Sequence, residues 1–261
     1  MDASTLLIVE DSPIQAKIIS QRFEALGLFT LLQAYSRADA ERVAMRHRKD
    51  IFAAVVDLNL PDAPDGEIVD LCLGLGIPCL VLAASLDEAL RRQFLEKRVV
   101  DYFLKGRIDD LDPLVAAVRR LYANQTVRAL VVDDSATQRA VVRRLLAVQC
   151  IKSVEAEDGL AALDVLAANP DIRLVITDFE MPRMNGIDLV QEIRGKHTLS
   201  SMAVIGLSSA GSGALTAKFL KYGANDFLTK PFEAEEFSWR VNQTLNILDV
   251  MAELRVLRGN G

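Results

Sequence analysis

Five residues in the second half of the chain have the types and spacing for chemistry at an oxygen-rich centre: Asp133 and Asp134 in "ALVVDDSAT", Asp178 in "LVITDFEMPRMNG", Ser208 in "LSSAG" and Lys230 in "FLTKPF". Adjacent carboxylates directly after four apolar residues are an electrostatic liability, because burial disfavours the charged form and each charge repels the other. Solvent or a cation has to offset them. Three carboxylates drawn within a few ångströms call for a cation, and hard oxygen ligands with room for water suit Mg²⁺. A carboxylate flanked by a lysine, a hydroxyl and Mg²⁺ describes phosphoryl transfer, in which metal and ammonium hold the equatorial oxygens while the carboxylate attacks in line. The sequence shows no second nucleophile and no Gly-rich nucleotide loop, so the phosphoryl donor must come from outside.

These residues need a scaffold that brings distant positions to one mouth, and the chain carries it twice. "LLIVEDSP" at 6–13 matches "ALVVDDSA" at 129–136, Asp57 in "AAVVDLNLPDAPDG" matches Asp178, and Lys105 in "DYFLKG" matches Lys230, at offsets of 123, 121 and 125 residues. Matches in the same order mark a duplicated domain. Short apolar runs fall at 6–9, 53–56, 80–82 and 102–104 with a weaker one at 28–33, and again at 129–132, 174–177, 204–207 and 227–229 with a weaker one at 153–156. Runs that are apolar at every position suit parallel strands buried on both faces. Between them lie helix patterns: Ser12–Pro13 and Ser135 read as N-terminal caps, and Gly27, Gly195 and Gly223 as stops. The order βαβαβαβαβα, twice, predicts two α/β domains, each a five-stranded parallel sheet covered on both faces, with ligands at the carboxyl ends of the strands. The boundaries expected are 1–124, 125–245 and a helical extension at 246–261.

Composition narrows the function classes. The chain has 261 residues, 51% of them hydrophobic, and a formal net charge of −6. Residues 1–124 carry 15 basic and 19 acidic side chains and the remainder 15 and 17, so neither half has the basic excess that direct nucleic-acid binding requires. No apolar run approaches a membrane span, and the N-terminus lacks the pattern of a signal peptide, so a cytoplasmic location is the expectation. Cys72, Cys79 and Cys150 lack metal-ligand spacing and read as small buried hydrophobes, and His47 and His197 as surface residues.

The set "VVDDS", "TDFEMPRMNG", "LSSAG" and "FLTKPF" resembles the receiver domain of bacterial two-component response regulators, over essentially all of residues 127–245. The separations of 44 residues from Asp134 to Asp178, 30 from there to Ser208 and 22 on to Lys230 fit that family. The resemblance implies a flavodoxin-like (βα)5 fold for each copy, with Asp178 accepting a phosphoryl group from a histidine kinase or phosphotransfer protein. It implies that Asp133, Asp134, Asp178 and the main-chain carbonyl of Glu180 arrange Mg²⁺, that Ser208 and Lys230 bind the phosphoryl oxygens, and that Phe227 is the aromatic switch. The added charge should draw in Ser208 and the following "AGSG" loop. On this reading the chain is a phosphoacceptor and switch, not a free-standing enzyme.

Copy one retains Glu10, Asp11, Asp57 and Lys105, with Tyr102 in the place of Phe227 and Asn59 in that of Glu180. Counting back 22 from Lys105 gives Ala83, which has no hydroxyl; Gly106 replaces a proline; and the loop after Asp57 has one extra residue. Nothing here forbids metal binding or phosphorylation at Asp57, but Ala83 cannot report a phosphoryl group by hydrogen bonding, so copy one reads either as a switch or as a structural or dimerising receiver. In "NILDVMAELRVLRGNG", Ile247, Val250, Leu254 and Leu257 recur at spacings of 3, 4 and 3, the seam of a coiled coil that could form a homodimer. Such a helix resembles the linker between tandem receivers and a diguanylate cyclase domain. The alternative is a phosphorylation-independent scaffold. A hydrolase with an Asp nucleophile is disfavoured, because Glu180 and Asn59 stand where a second Asp is expected.

Overall fold

The structure is a computed structural model that describes residues 4–85, 87–106, 111–209 and 213–259. It divides into two units, Met1–Tyr122 and Ala123–Gly261.

In unit one the order is β1 (Ser4–Val9), α1 (Pro13–Glu24), β2 (Phe29–Ala34), α2 (Arg37–His47), β3 (Ile51–Asp57), α3 (Glu67–Gly74), β4 (Cys79–Ala83), α4 (Glu88–Lys97), β5 (Asp101–Leu104) and α5 (Asp112–Asn124), whose last two residues cross into unit two. Unit two repeats it with β6 (Arg128–Val132), α6 (Ala136–Val148), β7 (Lys152–Ala156), α7 (Gly159–Ala168), β8 (Ile172–Asp178), α8 (Gly186–Lys196), β9 (Ala203–Ser208), α9 (Gly213–Lys221), β10 (Asp226–Thr229) and α10 (Ala234–Gly259). The sheets run β2-β1-β3-β4-β5 and β7-β6-β8-β9-β10, with every pairing parallel. Both units therefore have the flavodoxin-like strand order, whose reversal lies beside the first strand.

The central strands are aliphatic because helices cover both faces. In β6 and β8, Ala129, Val131, Leu174 and Ile176 join a core with Phe237, Val241 and Leu245 of α10. Leu130, Val132 and Val175 instead meet Phe219 of α9 and Val190 of α8. The edge strands β2 and β7 are only partly buried, which is why their apolar signal is weak in the sequence. Ser12 and Ser135 cap α1 and α6 by accepting from Gln15 N and Gln138 N, and Pro13 occupies the first turn of α1. Gly27 and Gly223 take positive φ after α1 and α9. α8 ends at Lys196, one residue past Gly195, and the Arg194 guanidinium fastens this last turn to the carbonyls of Met202 and Gly223 and to Asn225.

Candidate functional site

The strand ends of unit two carry the predicted residues. Asp133 follows β6, Asp178 and Ser208 are the last residues of β8 and β9, and Lys230 follows β10. Parallel pairing places these ends side by side: Lys230 N donates to Ser208 O at 2.8 Å and Phe179 N to Leu207 O at 2.9 Å. Lys230 Nζ then bridges Asp133 Oδ2 and Asp178 Oδ1, at 2.7 Å each. The second oxygen of each acid is held by main chain, Asp133 Oδ1 by Ser135 N at 2.9 Å and Asp178 Oδ2 by Glu180 N at 3.1 Å. Asp133, Asp178 and Ser208 are buried, whereas Asp134 is exposed at the rim.

The electrostatics follow from burial. Desolvation pushes the Asp178 carboxyl above the usual aspartate range, against the opposing pull of Lys230. For Lys230 burial works downward, but its bonds to Asp133 and Asp178 outweigh it and leave the ammonium above its ordinary value. The lysine thus stands in the position of a counter-ion between two acids that would otherwise repel.

Unit one reproduces the geometry. Lys105 Nζ lies 2.8 Å from Glu10 Oε2 and 2.7 Å from Asp57 Oδ2, while Ser12 N and Asn59 N bind the second oxygens at 3.3 and 3.1 Å. Glu10 is likewise pushed up by desolvation. Ligand atoms of Glu10, Asp11 and Asp57 all lie within 4.8 Å of one another, the one such group among the described residues; Asp133, Asp134 and Asp178 are not drawn together to that degree. Both donor sets are all-oxygen and hard, so both fit Mg²⁺. At the end of β4, Ala83 is buried with no hydroxyl to offer, although Lys105 N donates to Ala83 O at 2.7 Å just as Lys230 does to Ser208.

The loop after Asp178 is fixed by contacts that the motif does not advertise. Arg183, at φ 62°, pairs with the buried carboxylate of Asp158, the N-cap of α7, and Gly159 N donates to Met184 O at 3.3 Å. Gly186, at the start of α8, sits so close to β8 that a Cβ would lie 2.2 Å from Asp178 O. Phe227 is buried with its ring 5.4 Å from Phe219, which is 5.9 Å from Phe179, the residue after Asp178. In unit one the half-buried Tyr102 meets Phe94 at 5.8 Å, but Leu58 takes the place of Phe179. Phe179 and Phe219 were not singled out in the sequence, where each reads as an ordinary core residue. Residues 210–212 of the "AGSG" loop lie outside the described residues.

Cys72 and Cys79 are buried as expected, whereas Cys150 is only partly buried; desolvation raises the Cys72 thiol to about 12 and the Cys150 thiol to about 11. Lys230–Pro231 is a cis peptide bond. No helix among the described residues is long and apolar enough to cross a membrane.

Known proteins are similar to this chain over one copy or both. Residues 129–242 match the response regulator receiver domain family. The CheY homologue of Campylobacter jejuni strain 81-176 is 35% identical over 120 residues, 46% of this chain and 92% of that protein. Chemotaxis protein CheY1 of Helicobacter pylori strain J99 is 35% identical over 124 residues, 47% of this chain and 100% of that protein. A solved chain described as a two-component system response regulator/GGDEF domain protein is similar over both copies, at 38% identity and a TM-score of 0.84, covering 94% of this chain and 99% of that one. With two parallel sheets of receiver topology and relatives matched over nearly their whole length, the chain belongs to the response regulator receiver family.

Proposed function

We propose that Asp178 accepts a phosphoryl group from a histidine kinase or a histidine phosphotransfer protein, and that this charge switches a protein-interaction surface around β10 and α10. The observation that supports it is Lys230 Nζ held at 2.7 Å from both Asp133 and Asp178 at the mouth of the sheet. An oxygen of the Asp178 carboxylate attacks phosphorus as the donor's P–N bond breaks, and the leaving imidazole takes up a proton. Asp133, Asp134, Asp178 and the main-chain carbonyl of Glu180 would hold Mg²⁺, which would supply positive charge to the phosphoryl oxygens. Lys230 pairs with one of those oxygens, which the transfer brings beside its present position. Ser208, buried at the end of β9, donates its hydroxyl to another, drawing the segment after it inward. Phe227, packed on Phe219, follows into the space that opens.

Copy one has the acids and the lysine but Ala83 at the relay position, so we assign it phosphoryl or metal binding at Asp57 without the switch. The setting is cytoplasmic, and the output regulated is a domain of the cyclase type, in keeping with the GGDEF domain named for the solved chain that matches both copies. Intact-protein mass after treatment with a small phosphodonor and Mg²⁺ tests the assignment. One phosphoryl group should be lost in Asp178→Asn, and persistence of full labelling there with loss in Asp57→Asn would assign the switch to the wrong copy.

A further inference from the structure

We infer that Arg139, on the first helix of unit two, is a positioning residue for the acid pair, clamping the Asp133–Asp134 turn from behind so that its carboxylates face Mg²⁺. Its Nη1 donates to Asp133 O at 2.6 Å and reaches Asp134 O at 3.3 Å. Its Nε donates to Glu155 Oε2 at 2.9 Å, and the Arg139 side chain is only 16% exposed. Glu155 is also gripped by Arg143. One planar guanidinium thus ties the main chain of both acids to a carboxylate on the neighbouring strand, a geometry that a lysine ammonium does not reproduce. The inference rests on the Mg²⁺ reading of the site proposed above.

The duplication supplies the internal comparison. Val131 pairs with Glu155 in unit two and Ile8 with Gln33 in unit one, so Gln33 stands where Glu155 does. Six residues after Glu10, as Arg139 is after Asp133, comes the buried Ala16. Both members of the charged couple are replaced together by uncharged ones, and Gln33 there binds Ser20 and Tyr35 instead. The clamp therefore accompanies the copy with the complete relay.

Positioning and electrostatics predict opposite signs, which makes the role testable. A guanidinium near a cation site repels the cation, so removing it should tighten Mg²⁺ binding if charge were its whole effect. Removing a clamp should loosen binding, by about tenfold if this contact behaves as outer-shell partners of metal ligands do. The measurement is Mg²⁺ titration of the full chain in an Asp57→Asn background, followed by the amide signals of residues 133–135, which needs no phosphodonor. Arg139→Ala and, as a milder change that keeps the charge and the fold, Arg139→Lys should both weaken Mg²⁺ binding. Arg143→Ala, which loses the same glutamate but touches no carbonyl of the turn, should leave it within about twofold. Unchanged or tighter binding in Arg139→Lys would overturn the inference alone. Absence of any Mg²⁺ response that Asp178→Asn removes would overturn the underlying site assignment, and the inference with it.

Discussion

The lysine at each mouth holds together charges that the fold would otherwise not tolerate. Lys230 is 13% exposed, and the two carboxylates it bridges are 3% and 12% exposed. Leaving buried charges unpaired costs about 3–5 kcal/mol. Lys230→Ala should therefore lower stability by an amount of that order, and Mg²⁺ should stabilise the variant more than the parent because the cation takes over the neutralisation. Thermal melts with and without millimolar Mg²⁺ check this; an equal Mg²⁺ shift in both proteins would show that lysine and cation do not share a role. Ser208→Ala separates acceptance from relay. Labelling of Asp178 should continue, within about an order of magnitude, while the amide shifts around Phe227 that follow phosphorylation of the parent should disappear. The acids, the lysine and the hydroxyl were legible in the sequence because each interrupts an apolar run at a fixed separation. Arg139 was not, because its bonds to the main-chain carbonyls of the turn leave no trace in residue type and its side-chain partner, Glu155, lies 16 residues on in a weakly marked edge strand. Phe219 was hidden for a related reason: an aromatic on a helix looks the same whether it fills a core or meets a switch residue.

Elements carry these residues, and one inserted residue changes how. Gly66 and Gly186 close corresponding loops, but the loop in copy one is a residue longer. Gly66 consequently caps α3 at φ 78°, while Gly186 is already the first residue of α8 and is required for close approach to Asp178 O. Gly186→Ala should push α8 away from β8 and destabilise unit two by about 1–3 kcal/mol, the usual cost of overpacking. Urea unfolding measures that cost, and labelling at Asp178 should fall with it even under conditions where the chain is folded. Gly195→Ala, with nothing within 4 Å of its Cβ position, should be neutral or slightly stabilising as a helix substitution. Strand positions were readable because parallel strands buried on both faces need aliphatic side chains at every position. The end of α8 was readable to within a residue from Gly195, but the Arg194 bonds that hold its last turn to segments remote in sequence were not.

At the scale of the whole chain, charge and cores are balanced between two similar units, and the last helix carries a periodic run of exposed apolar side chains. α10 begins as the covering helix of its sheet, with Phe237, Val241, Leu245 and Leu248 buried. It then runs on to Gly259 with Ile247, Val250, Leu254 and Leu257 at 45%, 54%, 48% and 73% exposure. Arg173 pairs with Asp249 at 2.8 Å and Arg255 Nη2 donates to Thr198 Oγ1 at 2.9 Å, contacts that do not involve the four seam residues. A second copy of the same seam suits its 3-4-3 spacing. Barely two heptads bury only a short seam, so the pairing expected is weak, with a dissociation constant on the order of micromolar or above. Sedimentation velocity over that range should show reversible association that Leu254→Glu reduces at least tenfold, leaving labelling at Asp178 intact. Undiminished association in that variant would place the contact elsewhere. Tighter association after phosphodonor treatment of the parent, but not of Ser208→Ala, would tie the dimer to the switch, because the hydroxyl is the part of the site that copy one lacks.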